Sequence, residues 1–226
     1  ERAGITLEGN IHRGILPRGA QLLVERKHSI DQVLRPMLKD SNNLCAEAMF
    51  YQLAALAKRA YATHKDAAAQ VQRVIAQCGL QPSDYLVADG SGLSLYNYVS
   101  PQLLVAMLRH AARSEETFTH LTTALPIMGR DGTLKSRCRR TPAQDNVRAK
   151  TGTVEGVSSL TGYAMAANGH RLCFAIINQG VRTATEGRRF QDAVCRALTE
   201  GFDTPHLRPD LQPDAEPMNE DETETL

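Results

Sequence analysis

The sequence predicts an α+β domain in which an antiparallel sheet is covered by helices on both faces. Three observations carry that expectation. Before residue 122, and again over 185–200, apolar residues recur at intervals of three and four, the period of an amphipathic helix. Residues 146–178 change to period two and contain Asn168-Gly169, a strong hairpin signal. Within them Leu172-Cys173-Phe174-Ala175-Ile176-Ile177 is apolar on both faces, so the sheet needs a cover on each side.

Residues 1–28 mix short apolar groups with Gly4, Gly9, Gly14, Pro17 and Gly19, which suits short strands and turns better than helix. Ser29 then caps a helix carrying Ile30, Val33, Leu34, Met37 and Leu38, with Pro36 placed to shorten or kink it. The next helix bears the stripe Cys45, Met49, Leu53, Leu56 and Ala60, which leaves Ser41-Asn42-Asn43 in the connection and first turn. From position alone, Ser41 or Asn42 reads equally as an N-cap and as a site residue.

Thr63 and Asp66 have the spacing of a capping box for a third helix, which Gly79 ends and Pro82 separates from the next segment. Tyr85–Ala88 reads as a short strand leading into the turn Asp89-Gly90-Ser91-Gly92-Leu93-Ser94, which lacks the spacing of a phosphate-cradling loop. Ser100-Pro101 opens another helix and Ser114 a shorter one. Residues 126–148, with Pro126, Gly129, Gly132, Pro142 and six basic residues, read as a solvated loop whose positive field beside Lys150 would attract an anionic substrate.

From Asn146 a strand places Val147, Ala149 and Thr151 on one side and Arg148 and Lys150 on the other. Strands over 157–167 and 170–178 come next. The last helix, Thr185 to Glu200, presents Phe190, Val194, Ala197 and Leu198 to the sheet. Beyond residue 204 the chain is Pro-rich and acidic with almost nothing to bury, and disorder is expected. The expected organisation is thus one domain over 1–204 and an acidic tail over 205–226.

A formal net charge of +1 argues against nucleic acid as a partner. The five cysteines are widely spaced without a Cys-x-x-Cys pair, and the histidines show no ligand spacing, so neither a disulfide framework nor a metal site is expected. No apolar run approaches the ~20 residues that span a bilayer, and no signal peptide opens the chain. Because the chain starts at Glu1, we expect it to be part of a longer gene product.

The chemistry centres on Ala149-Lys150-Thr151-Gly152-Thr153. Lysine supplies a compact cation, threonine a hydroxyl donor, and glycine room for a ligand to approach the backbone, a combination suited to gripping a carboxylate. With Ser41-Asn42-Asn43 opening a helix, this resembles the penicillin-binding protein and serine β-lactamase superfamily. Four stretches occur in the order of one branch: 37–47 (Met-Leu-Lys-Asp-Ser-Asn-Asn-Leu-Cys-Ala-Glu), Asp89–Ser94 with Val99-Ser100-Pro101, Gly132-Thr133-Leu134, and Arg148–Thr153. That branch is the D-alanyl-D-alanine carboxypeptidase/endopeptidase family similar to penicillin-binding protein 4, peptidase family S13. The resemblance covers roughly 1–202, with Asn42 standing where the family often has Asp.

The resemblance implies acyl transfer on peptidoglycan stem peptides outside the cytoplasmic membrane, with β-lactams as further ligands of the full-length protein and no cofactor or metal. It implies that Ser41 belongs to the proton relay toward the leaving amine, that Asn43 orients the substrate amide, and that Lys150 keeps the relay electropositive. Lys150, Thr151 and Thr153 would bind the terminal carboxylate beside Gly152, and the Thr153 N–H would be one oxyanion donor. The superfamily's nucleophile lies in Ser-x-x-Lys, and no serine here has lysine three residues on. The chain is therefore expected to be a C-terminal portion with its nucleophile elsewhere, inactive alone. The alternative is a non-catalytic module of the same fold that binds peptidoglycan peptides.

Overall fold

In the computed structural model the described residues are 4, 8–10, 14, 15, 18–57 and 61–200. Five helices come first: α1 (Ile30–Lys39), α2 (Asn43–Ala55), α3 (His64–Gln77), α4 (Pro101–Ala111) and α5 (Glu115–Ala124). The strands β1 (Arg148–Val154), β2 (Val157–Met165) and β3 (Arg171–Gln179) follow, then α6 (Ala184–Glu200). Side-chain caps start α1 to α5. Ser29 and Thr63 complete capping boxes with Gln32 and Asp66, and Asn42, Ser100 and Ser114 each accept from a backbone N–H three residues on. Pro36 lies inside α1 without ending it.

The strands form one antiparallel sheet in the order β1-β2-β3, with Lys150 opposite Thr161 and Thr161 opposite Ala175. On one face Leu160, Ala164 and Phe174 pack with Cys195 of α6 in the main core. The other face meets α4, where the Tyr163 hydroxyl donates to the Leu108 carbonyl at 2.7 Å. Both faces are therefore covered, as the apolar Leu172–Ile177 run requires. The Asn168-Gly169 turn joins β2 to β3 with Gly169 at φ +83°, a left-handed conformation that glycine adopts without a Cβ clash.

Several expectations need correction. Tyr85–Ala88 is no strand: Leu86 and Tyr98 form a single bridge, and the Asp89 carboxylate organises the adjoining turn instead, accepting from the Gly92 and Ser94 N–H groups and from Asn97 Nδ2. The described residues of 1–28 form no strand, and the others lie outside the described set, as does the tail over 201–226. Helix α2 ends at Ala55; Leu56 is exposed, and the residues that sink deepest are Phe50 and Ala54.

Residues 126–147 are a solvated loop only in part: Arg130, Lys135, Arg139 and Arg140 are exposed, but much of the rest is not. Pro126, Met128, Leu134, Ala143 and Val147 are buried in the core, and Arg137 is only 8% exposed. Its guanidinium donates to Asp192 Oδ1 at 2.8 Å and to Gln191 Oε1 at 3.1 Å, so its charge is paired rather than offered to a ligand. Nor is Phe190 part of the packed face of α6, which is Gly187, Gln191, Cys195 and Thr199. A Cβ at Gly187 would come within 2.6 Å of Ser158 Cβ, and Gln191 bonds Ser158 Oγ and Asn178 Oδ1, both at 3.1 Å. The helix lies against the sheet along a small and hydrogen-bonded stripe, which hydropathy does not detect.

Candidate active site

Ser41 follows the last residues of α1 at φ +55°, a left-handed conformation uncommon for a serine. The Asn42 N–H reaches back to the Pro36 carbonyl at 3.1 Å, and Asn42 Oδ1 caps α2. Asn42, not Ser41, is the N-cap, which leaves the Ser41 hydroxyl available to the sheet. It receives a hydrogen bond at 2.8 Å from Lys150 Nζ, which also donates to the Thr151 carbonyl at 2.7 Å.

Lys150 reaches Ser41 because β1 alternates. Ala149 is fully buried in the core with Leu160 and Cys195, so Lys150 and Gly152 project from the opposite face, toward the helices before the sheet. Burial holds the Lys150 ammonium below the ordinary lysine range. Among the described residues no carboxylate pairs with it. A Cβ at Gly152 would collide with Ser159 Oγ, so any other residue there would have to turn that hydroxyl aside.

β1 is an edge strand. The Ala149 N–H donates outward to the Pro126 carbonyl at 3.0 Å, away from β2. Backbone N–H groups two residues apart point the same way along a strand, so those of Thr151 and Thr153 also face the outer edge. That edge, beside a cation and a threonine hydroxyl, presents donors to an anion.

One ion pair ties the two halves together. Lys39, in the last turn of α1, donates to both Asp131 oxygens at 2.6 and 2.8 Å, and Asp131 Oδ1 also accepts from the Ile127 N–H. Burial disfavours the Asp131 charge, but the bonds from Lys39 and Ile127 outweigh it and hold the carboxyl below its ordinary range. Gly132, at φ +54°, lets the Lys39 carbonyl approach where a Cβ would stand 2.7 Å away. The turn of residues 132–134 is thereby held beside β1, and Thr133 and Thr151 share a hydroxyl–hydroxyl hydrogen bond of 3.0 Å.

Of the residues singled out in the sequence, Ser41 and Lys150 touch, Thr151 lies beside them, and Gly152 backs onto Ser159. Asn43 and Thr153 are exposed, and among the described residues neither side chain makes a hydrogen bond. The sequence alone gives no role to Thr133, Lys39 or Asp131. Gly132-Thr133-Leu134 stands out as a family segment, but an ion pair spanning 92 positions has no local signature.

This arrangement of helices and antiparallel sheet, with a serine before a helix facing an edge-strand lysine, defines the penicillin-binding protein and serine β-lactamase fold. The chain belongs to the D-Ala-D-Ala carboxypeptidase 3 (S13) family, whose sequence profile matches residues 1–200. It is 31% identical over 183 residues to the D-alanyl-D-alanine carboxypeptidase DacB of Haemophilus influenzae, covering 80% of this chain and 38% of that protein. It is also 31% identical over 209 residues to a D-alanyl-D-alanine carboxypeptidase of Actinomadura sp., covering 88% of this chain and 38% of the relative. The chain thus spans well under half the length of either relative. Its fold matches a crystal structure of penicillin binding protein 4 from Haemophilus influenzae complexed with a β-lactam, with a TM-score of 0.65, 29% identity, and coverage of 73% of this chain and 41% of that one. An extended-spectrum β-lactamase shares the fold with a TM-score of 0.53 at 14% identity, over 74% of this chain and 62% of that one.

Proposed function

We propose that this chain supplies one wall of a serine-type D-Ala-D-Ala carboxypeptidase/endopeptidase site that acts on peptidoglycan stem peptides outside the cytoplasmic membrane. The carrying observation is the 2.8 Å hydrogen bond from Lys150 Nζ to Ser41 Oγ, which makes two motifs distant in sequence into one electropositive relay. Residues 1–204 form the C-terminal part of the peptidase domain and 205–226 an acidic tail. The attacking serine comes from outside the 226 residues, since none of the serines within them has a lysine three residues on.

In this reading the acyl carbonyl of the penultimate D-alanine is attacked by that serine, and the C-terminal D-alanine leaves as an amine. Ser41 passes a proton to the leaving nitrogen, and Lys150 stabilises the negative charge that develops on the relay oxygen. Asn43 orients the substrate amide. The outward Thr153 N–H is one oxyanion donor, and Lys150, Thr151 and Thr153 hold the terminal carboxylate at the edge of β1 beside Gly152. Water then releases the acyl-enzyme. β-Lactams enter as acylating analogues of the same peptide.

The test is hydrolysis of diacetyl-L-Lys-D-Ala-D-Ala by the full gene product and by its Ser41→Ala variant. Release of D-alanine by the first, reduced about 100-fold or more in the second, is expected for the loss of a proton-transfer group. Peptide binding without hydrolysis would instead favour the non-catalytic module.

A further inference from the structure

We propose that Thr133 is a positioning residue for carboxylate recognition: its hydroxyl fixes the Thr151 side chain and lets the Thr151 proton turn toward the terminal carboxylate of the peptide. This rests on the peptidase reading above and gives a role to a residue which that reading leaves unused.

Thr133 is the exposed member of a turn pinned on both sides. Asp131 before it is ion-paired with Lys39, and Leu134 after it is fully buried in the core. The turn therefore holds its place while the Thr133 hydroxyl stays free to rotate. Its oxygen lies 3.0 Å from Thr151 Oγ1, and a β-branched side chain has few rotamers, so this contact selects the one in which Thr151 stands.

Two hydroxyls in contact form one hydrogen bond and leave one proton unused. In the structure Thr151 donates to Thr133. A carboxylate accepts only, so when it reaches the edge of β1 it draws the Thr151 proton outward. The Thr133 hydroxyl then reverses and donates to Thr151 Oγ1, and the resulting chain of hydrogen bonds is stronger than its separate members. The surroundings favour an anion: Lys150 donates only to the neutral Ser41 Oγ and Thr151 carbonyl among the described residues, and the Thr151 and Thr153 N–H groups face the same edge. A valine at 133 keeps the shape but not the reversal.

The experiment compares KM and kcat of the full gene product with its Thr133→Val and Thr133→Ser variants, on diacetyl-L-Lys-D-Ala-D-Ala and on the same peptide with a C-terminal carboxamide. The expected result is a rise in KM of about tenfold for the acid in the valine variant, the scale of one hydrogen bond near a charge. The carboxamide is expected to be unaffected, and serine to restore the wild-type value. Equal losses on acid and amide would show a merely structural role and overturn the proposal, as would a valine variant that matches wild type on the acid. A wild type that hydrolyses neither peptide would overturn the peptidase reading and this inference with it.

Discussion

Lys150 Nζ donates to Ser41 Oγ at 2.8 Å across 109 positions of sequence, joining the edge strand of the sheet to the turn between α1 and α2. The serine is held there in a left-handed backbone conformation, which costs a non-glycine residue about 1–2 kcal/mol. Strain of this kind persists where the surroundings impose it, and here the imposing groups are the Asn42 N–H bond to Pro36 and the Lys39–Asp131 ion pair.

Ser41→Gly separates stability from activity. Glycine relieves the strained φ, and we expect thermal unfolding to shift upward or stay level, by at most about 1 kcal/mol. The same variant removes the hydroxyl, and in the full gene product it should reduce D-alanine release about 100-fold or more. A drop in melting temperature would show that the Lys150 contact stabilises the fold more than the strain costs it.

In the full gene product, Lys150→Ala should leave the fold intact while lowering kcat/KM by about 100- to 1,000-fold, the range for losing one preorganised electrostatic group. Burial depresses the lysine's folded-state pKa, so its charge costs stability below that pKa and the cost fades as pH rises past it. Replacing the side chain removes that cost. Circular dichroism melts at neutral pH should therefore match or exceed wild type.

In the full gene product, Gly152→Ala places a Cβ where Ser159 Oγ lies and is expected to force that hydroxyl into another rotamer, with a modest loss of stability and of activity. Ser159→Gly in the same chain removes the obstructing hydroxyl. Melting temperature and kcat/KM of the double variant should recover most of the loss, and a double variant no better than Gly152→Ala would place the defect elsewhere.

Local pattern determines which features are legible in the sequence. The caps Ser29, Thr63, Ser100 and Ser114, the Asn168-Gly169 turn, and the alternation that separates Ala149 from Lys150 each depend on a few adjacent residues. The packed stripe of α6 escapes a hydropathy reading because Gln191 and Thr199 are buried through hydrogen bonds, and Gly187 through the absence of a side chain, none of which raises hydropathy. Residues 126–146 escape it for a related reason: Met128 and Leu134 enter the core from a stretch with no sustained helix or strand, where no period marks them. In the site, Lys150 and Ser41 are legible as motifs. The Lys39–Asp131 pair and the Thr133–Thr151 contact are not, because only the folded chain brings them together.

Acid should loosen the site before it melts the sheet. Asp131 and Asp89 both titrate below the ordinary carboxylate range, because hydrogen bonds to each outweigh its burial. A depressed folded-state pKa contributes stability that is full above the unfolded value, about 4, and is lost as pH falls through the folded one. On the acid side, melting temperature should therefore hold from neutrality down to about pH 5 and fall below about pH 4. Asp131→Asn and Asp89→Asn should each flatten that fall, and wild-type slopes in both variants would contradict the assignment.

In the function proposed above, this chain holds the relay and the carboxylate grip but not the attacking serine. Intact-mass measurement after incubation with excess penicillin tests it directly, on residues 1–226 alone and on the full gene product. An unassisted serine is a poor nucleophile at neutral pH, and Lys150 beside Ser41 supplies neither a second oxyanion donor nor in-line geometry. The expected result is no adduct on residues 1–226, and in the full gene product one penicilloyl group on a serine outside them. An adduct mapped to Ser41 or any other serine of this chain, or a full gene product that stays unlabelled, would contradict it.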